Sequence, residues 1–123
     1  MEIIRKSQFA MHELSIAMGI VKIAEDETRK AEATRVEVIE LEIGTLAGIE
    51  FEALDFVWPA AVKDTVLEAA EKRIDIIPGK ARCMDCDTPF DVNYLYDTCP
   101  TCHSNLKAII QGKELRVKAL EVV

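Results

Sequence analysis

No stretch of this chain comes near the roughly eighteen consecutive apolar residues that a membrane-crossing helix needs, so a helical span is excluded. Histidine is scarce, with His12 and His103 the only two in 123 residues. No Ser/His/Asp set, open metal site or phosphate-binding glycine loop is visible, which makes an enzyme the least favoured class. Positive charge is short as well: 15 Lys and Arg stand against 22 Asp and Glu, a formal net charge of −7. Affinity for a phosphate backbone comes from Lys and Arg releasing counterions, and no basic run is interleaved with aromatics. Nucleic acid is therefore a poor partner. The imbalance is lopsided, with fifteen acids to seven bases over residues 1–71 and seven to eight over 72–123. Such a surface suits cations or a basic protein partner, although solvated helix faces produce the same charge. No internal repeat or low-complexity tract is present. The length fits one domain, or one domain with a small appendage.

Cysteine is equally sparing, and its placement is informative. All four cysteines fall in two C-x-x-C pairs, Cys83/Cys86 and Cys99/Cys102. Two intervening residues let a tight turn aim both sulfurs of a pair at one point. Two such turns face to face give a closed tetrahedral cage of four sulfurs, which suits a structural zinc ion and leaves no open position for water. No thiol remains to act as a nucleophile. Disulfides belong to secreted domains, and residues 1–10 have neither the apolar core of a signal peptide nor the acid-poor make-up of a transit sequence. The expectation is a reduced, cytoplasmic protein. Cys99-Pro100-Thr101-Cys102-His103 also matches a haem-attachment string, but that reading strands Cys83 and Cys86. A rubredoxin-like iron electron carrier shares the four-sulfur cage and stays open as an alternative. A zinc-ribbon nucleic-acid or transcription module is another. His103 reads as a loop residue beside the cage that is able to replace a lost thiolate.

Hydrophobic periodicity supplies the frame. Leu14, Ala17, Met18, Val21 and Ala24 recur at helical spacing, widened by Ile16, Ile20 and Ile23, so an amphipathic helix is expected from about Met11 to Ala33. In residues 36–43 the period becomes two: Ile39, Leu41 and Ile43 share one strand face, Glu40 and Glu42 the other, and Gly44 ends the strand. Leu54, Val57, Trp58, Ala61 and Val62 mark a second helix. Pro59 inside it removes a hydrogen bond at a cost of about 3 kcal/mol, so a kink or break is expected near Trp58. Ile74, Ile76 and Pro78 suggest a short strand leading into the first cysteine pair. Leu115, Val117 and Ala119 alternate with Glu114, Arg116 and Lys118 as a final strand. The expected fold is α/β: a small three-stranded sheet with two helices on one face, plus an inserted zinc-ribbon-like lobe built on the four cysteines.

Four segments in order resemble the HypA/HybF family of nickel metallochaperones, which mature [NiFe]-hydrogenases. They are Met11-His12-Glu13-Leu14-Ser15-Ile16-Ala17, Leu41-Glu42-Ile43-Gly44, Arg82-Cys83-x-x-Cys86 with Cys99-Pro100-x-Cys102, and Gly112-Lys113-Glu114-Leu115-Arg116-Val117. The resemblance covers about Met11 to Val123. It implies a nickel-binding α/β domain over 11–81 and 107–123, and a zinc-binding domain over 82–106. Residues 1–10 remain an extension of doubtful status.

The resemblance also implies a non-enzymatic carrier with structural Zn(II) on Cys83, Cys86, Cys99 and Cys102, and Ni(II) as transient cargo. The nickel ligands carried over are Met11 through its backbone amine, His12 through ring and amide, and Glu13 through its amide, with Glu50 as a supporting carboxylate. Ni(II) favours such nitrogen-rich, square-planar surroundings. On composition alone, His12 and Glu13 would be an exposed side chain and an acid complementing a helix dipole. The implied partners are a HypB-type nickel GTPase and a [NiFe]-hydrogenase large-subunit precursor. Oligomeric state is left open, a homodimer among the options. One departure matters: if residues 1–10 are present, Met11 has no free amine. The reading favours a working start at Met11.

Overall fold

The structure is a computed structural model that describes the backbone of residues 2–123 and the side chains of residues 12–123. The elements run α1 (Glu2–Lys30), β1 (Val36–Gly44), α2 (Phe51–Val62), β2 (Glu71–Ile77), β3 (Lys80–Cys83), β4 (Pro89–Asp91), β5 (Lys107–Gln111) and β6 (Leu115–Val122). They form two three-stranded sheets, β2-β1-β6 and β4-β3-β5. The chain divides into two compact units. One comprises residues 1–41, 49–73 and 117–123, the other residues 42–48 and 74–116. The unit that carries the cysteines is thus wider than the cysteine loops themselves. Among the described residues, no helix is long and apolar enough to cross a membrane.

In the first unit α1 packs on α2. The buried line of α1 is Glu13, Ala17, Ile20, Ala24 and Thr28, spaced three or four residues apart as one helix face requires. This corrects the sequence expectation in two ways. Met18 and Ile23, expected on the core face, are 58% and 47% exposed. Two polar residues, Glu13 and Thr28, lie on the core line instead. The helix also starts before Met11 and ends at Lys30 rather than Ala33. Its end is set by a left-handed residue: Glu32 has φ +56°, the N–H of Glu32 bonds to the Arg29 carbonyl and that of Ala33 to the Thr28 carbonyl, each at 3.0 Å. That pair of bonds is a Schellman cap, with glutamate where glycine is usual.

β1 follows its alternation. Ile39, Leu41 and Ile43 are buried, whereas Glu40 and Glu42 are half-buried. The expected break near Trp58 is absent, because α2 is continuous from Phe51 through Pro59 to Val62. Pro59 and Asp55, the residue whose carbonyl loses its donor, are both exposed, so water can satisfy that carbonyl. Leu54, Val57 and Trp58 before the proline and Val62 after it are all buried, so burial on both sides holds the helix together. Lys72 on β2 lies 4.9 Å from the Trp58 ring centroid and 2.6 Å from Asp55 Oδ1, tying strand to helix.

The expected strand over Ile74, Ile76 and Pro78 does not run into the cysteines. β2 stops at Ile77, and β3 begins a separate sheet at Lys80. Gly79 makes the turn tight: a Cβ there would stand 2.3 Å from the Val92 carbonyl oxygen and 2.8 Å from Leu46 Cδ1. In the second unit β3 pairs antiparallel with β4 (Ala81 opposite Phe90) and with β5 (Arg82 opposite Ala108), with a bulge between Lys80 and Ala81. Its core is Ala81, Cys83, Phe90, Val92 and Cys99, with Leu46 and Ile109 packed against it. Gly44 admits no side chain, since a Cβ would meet the Gly112 carbonyl oxygen at 1.9 Å.

Replacing Glu32 by glycine should stabilise the protein by up to about 1 kcal/mol, because only glycine adopts the left-handed cap without a Cβ clash. The check is a urea titration, where the midpoint should rise at unchanged slope.

Candidate metal centre

The second unit brings the four cysteines together. Their sulfurs all lie within 4.8 Å of one another, with Cys83 Sγ 3.5 Å from Cys102 Sγ and Cys86 Sγ 3.6 Å from Cys99 Sγ. Sulfurs bound at about 2.3 Å to a tetrahedral zinc stand about 3.8 Å apart, so the donors are at coordination spacing. All four are free thiols; Cys83 and Cys99 are buried, Cys86 and Cys102 exposed.

The two pairs are held by matching turns. In the first, the N–H of Cys83 bonds to the Thr88 carbonyl, that of Asp87 to the Cys83 carbonyl, and that of Cys86 to Cys83 Sγ. In the second, the N–H of Cys99 bonds to the Ser104 carbonyl, that of His103 to the Cys99 carbonyl, and that of Thr101 to Cys99 Sγ. Asp87 and His103, each the residue after a pair's second cysteine, take φ +63° and +61°. Both residue types tolerate the left-handed region better than most. A hydrogen bond from Ser104 Oγ to Asp85 fastens one turn to the other.

The thiols do not titrate alike. Cys86 is lowered to about 6, first by the Thr88 hydroxyl, 3.2 Å from its sulfur. Cys99 is lowered by the backbone N–H of Cys102 and, less strongly, that of Thr101. Cys102 is pushed up to about 12. The Ser104 backbone acts to lower it, but the adjacent Cys83 sulfur, desolvation and the other two sulfurs together outweigh that. Four thiolates this close repel one another, and a central divalent cation is the charge that lets all of them ionise. Among the described residues, these four cysteines are the group of His, Cys, Asp and Glu side chains arranged to hold a metal. His103 is exposed and outside it.

The other candidate residues lie in the first unit. The side chain of Met11 falls outside the described residues. The His12 side chain is 60% exposed, with Nε2 3.9 Å from Glu13 Oε2. Glu13 is 1% exposed, and its Oε2 accepts the backbone N–H of Glu50 at 3.5 Å. Glu50 is the N-cap residue of α2 and makes no side-chain capping bond. The Glu13 carboxylate does that work from another helix, complementing the positive end of the α2 dipole. Its second oxygen, Oε1, is buried without a partner. His12, Glu13 and Glu50 do not form a side-chain metal cluster, but Glu13 joins the segment before Leu14 to the loop that carries Glu50.

Together these features define a small α/β protein with a closed four-thiolate metal-binding centre and, on its first helix, an exposed histidine next to an anchored glutamate. Comparison with known proteins resolves the class. Residues 11–122 match the family profile described as "Hydrogenase/urease nickel incorporation, metallochaperone, hypA". Hydrogenase maturation factor HypA of Parabacteroides distasonis is 45% identical over 112 residues, covering 91% of this chain and 97% of that one. The factor of the same name from Azotobacter vinelandii is 44% identical, covering 91% and 99%. The solution structure of the Ni metallochaperone HypA from Helicobacter pylori superposes with a TM-score of 0.65 at 25% identity, over 90% of this chain and 97% of that one. A second HypA solution structure gives 0.67 at 27% identity, over 92% and 97%. The chain belongs to the HypA family of nickel metallochaperones, which act in hydrogenase maturation and are not enzymes.

Replacing Glu13 by alanine should destabilise the protein by about 1–3 kcal/mol, the usual range for deleting the buried partner of a backbone group. Thermal unfolding of Glu13→Ala against the parent checks this.

Proposed function

We propose that this protein carries Ni(II) on the segment Met11-His12-Glu13 and hands it to a [NiFe]-hydrogenase large-subunit precursor in the cytoplasm, with a HypB-type nickel GTPase as partner. Zn(II) on Cys83, Cys86, Cys99 and Cys102 would hold the second unit together and take no part in transfer. The observation that supports the nickel reading most is the exposed His12 ring standing beside the clamp between Glu13 and the Glu50 backbone, at the start of the region matched by the family profile. An exposed imidazole on a held backbone suits a donor that must bind and then release its cargo. Glu50, whose backbone N–H is held by that clamp, would be the carboxylate that supports that exchange.

The helix gives the start residue a chemical meaning. α1 is continuous through Met11 when residues 1–10 precede it, and amides inside a helix donate to carbonyls four residues back. In a chain beginning at Met11, the amides of His12, Glu13 and Leu14 have no such partner, and the terminal amine is free. Those are the nitrogens that square-planar Ni(II) requires. The chain starting at Met11 should therefore bind nickel more tightly than the chain starting at Met1, with the yellow absorbance of square-planar Ni(II). Parallel titrations read by absorbance check this; equal affinity and identical spectra would remove the amine from the site.

His12→Ala, made in the chain starting at Met11, should abolish specific nickel binding without unfolding the protein, because its ring is 60% exposed. Calorimetric titration with nickel checks the first half and circular dichroism the second. Retained binding would take the site away from this segment.

Zinc should co-purify at one equivalent. Cys86→Ala should release it and disorder residues 83–102 while the β2-β1-β6 sheet persists, because metal binding energy is folding energy for so small a core. Metal analysis and amide NMR spectra check this. Iron in place of zinc, or an ordered metal-free loop, would contradict it.

A further inference from the structure

The loop joining the two halves of the cysteine unit presents an aromatic surface that neither metal reading uses. Tyr94, Leu95 and Tyr96 are 59%, 53% and 75% exposed. The two tyrosine rings stack on each other with centroids 5.2 Å apart and planes 6° from parallel. Exposed aromatic pairs are uncommon on a protein that has no use for them.

The loop is also stiffly built. The Asp97 carboxylate accepts the backbone N–H groups of Asn93 at 2.8 Å and Tyr94 at 3.1 Å, and the Asp97 N–H returns to the Tyr94 carbonyl at 3.0 Å. Just outside this turn, Val92 and Cys99 are 1% and 0% exposed. The aromatic pair therefore stands on a turn whose backbone is bonded to itself and whose ends are buried. Such preorganisation reduces the entropy lost on binding, and tyrosine has few rotamers to freeze.

Charge identifies the partner. Residues 83–106 contain four aspartates, at positions 85, 87, 91 and 97, and no lysine or arginine, while Arg82 just before them pairs with Asp87 at 3.5 Å and Lys80 lies opposite Asp91 across β3 and β4. The rings are also largely exposed, and a guanidinium can lie flat on an exposed aromatic face. We infer that Tyr94, Leu95 and Tyr96 form a docking surface for an arginine-bearing protein segment, separate from the nickel segment on α1. Arginine fits better than lysine because it both stacks on the rings and pairs with carboxylates through two donors.

The test is an NMR titration of the zinc-loaded full chain with two eight-residue peptides, one alternating arginine and leucine, the other glutamate and leucine. The arginine peptide should give saturable shifts centred on residues 93–97, weakened at least tenfold in the Tyr94→Ala/Tyr96→Ala double variant and reduced by added salt. Asp91→Asn should weaken it less, by a fewfold. Both variants should retain one zinc and the parent's amide dispersion, since the replaced side chains are exposed. The inference is overturned by an absence of shifts at 93–97, by shifts confined to the acidic face of α1, by equal binding of the glutamate peptide, or by undiminished binding in the double variant.

Discussion

The convergence of four sulfurs is the constraint on which the second unit depends. Its core has five buried residues, and two of them, Cys83 and Cys99, are cysteines. Its three strands have four, three and five residues, too short to hold a sheet by hydrophobic burial alone. A metal ion on the four cysteines would supply what such a core lacks. The matching turns show how the chain prepares for it. Each pair closes on the same two backbone bonds, and each has its left-handed residue at the same offset, so the sulfurs converge from two directions with little side-chain adjustment. The Ser104–Asp85 bond then fixes one turn against the other.

The first unit follows a different economy. A carboxylate buried on the core line of α1 would ordinarily be a liability. Glu13 is tolerated because one of its oxygens meets the N-terminus of α2, where the helix dipole and a free backbone N–H both favour negative charge. This arrangement anchors the backbone next to His12 while the imidazole itself stays in water. Under the proposed function, structural and functional roles would thus fall on adjacent residues, one side chain buried and the other exposed. For a metal ion that must be loaded and unloaded, that separation would leave the donor exposed without loosening the fold.

Much of this is legible in the residues. The period-two pattern of β1 and the cysteine spacing translate directly into geometry, because burial and ligand convergence each impose a short, regular repeat. The core line of α1 is only partly readable. Met18 and Ile23 are apolar yet exposed, and the spacing of Glu13 with Ala17 is compatible with a glutamate inside. Polarity alone argues against that, because the compensating α2 N-terminus comes from distant sequence. The continuity of the helix through Pro59 is hidden for a similar reason: only the fold reveals that Asp55 and Pro59 are exposed while apolar residues on both sides are buried. β3, β4 and β5 escape detection because strands of three to five residues among cysteines and prolines leave no measurable period. The aromatic loop carries a visible signal in Tyr94-Leu95-Tyr96, but its exposure does not show in the sequence.

The most direct test of the two-metal account is X-ray absorption at both metal edges on the chain beginning at Met11, loaded with zinc and then with one equivalent of nickel. The account predicts four sulfur neighbours at about 2.3 Å around zinc. Around nickel it predicts a sulfur-free, four-coordinate shell of nitrogen with an imidazole signature. Sulfur at the nickel edge, or nitrogen replacing sulfur at the zinc edge once nickel is added, would contradict the separation of a structural metal from a carried one.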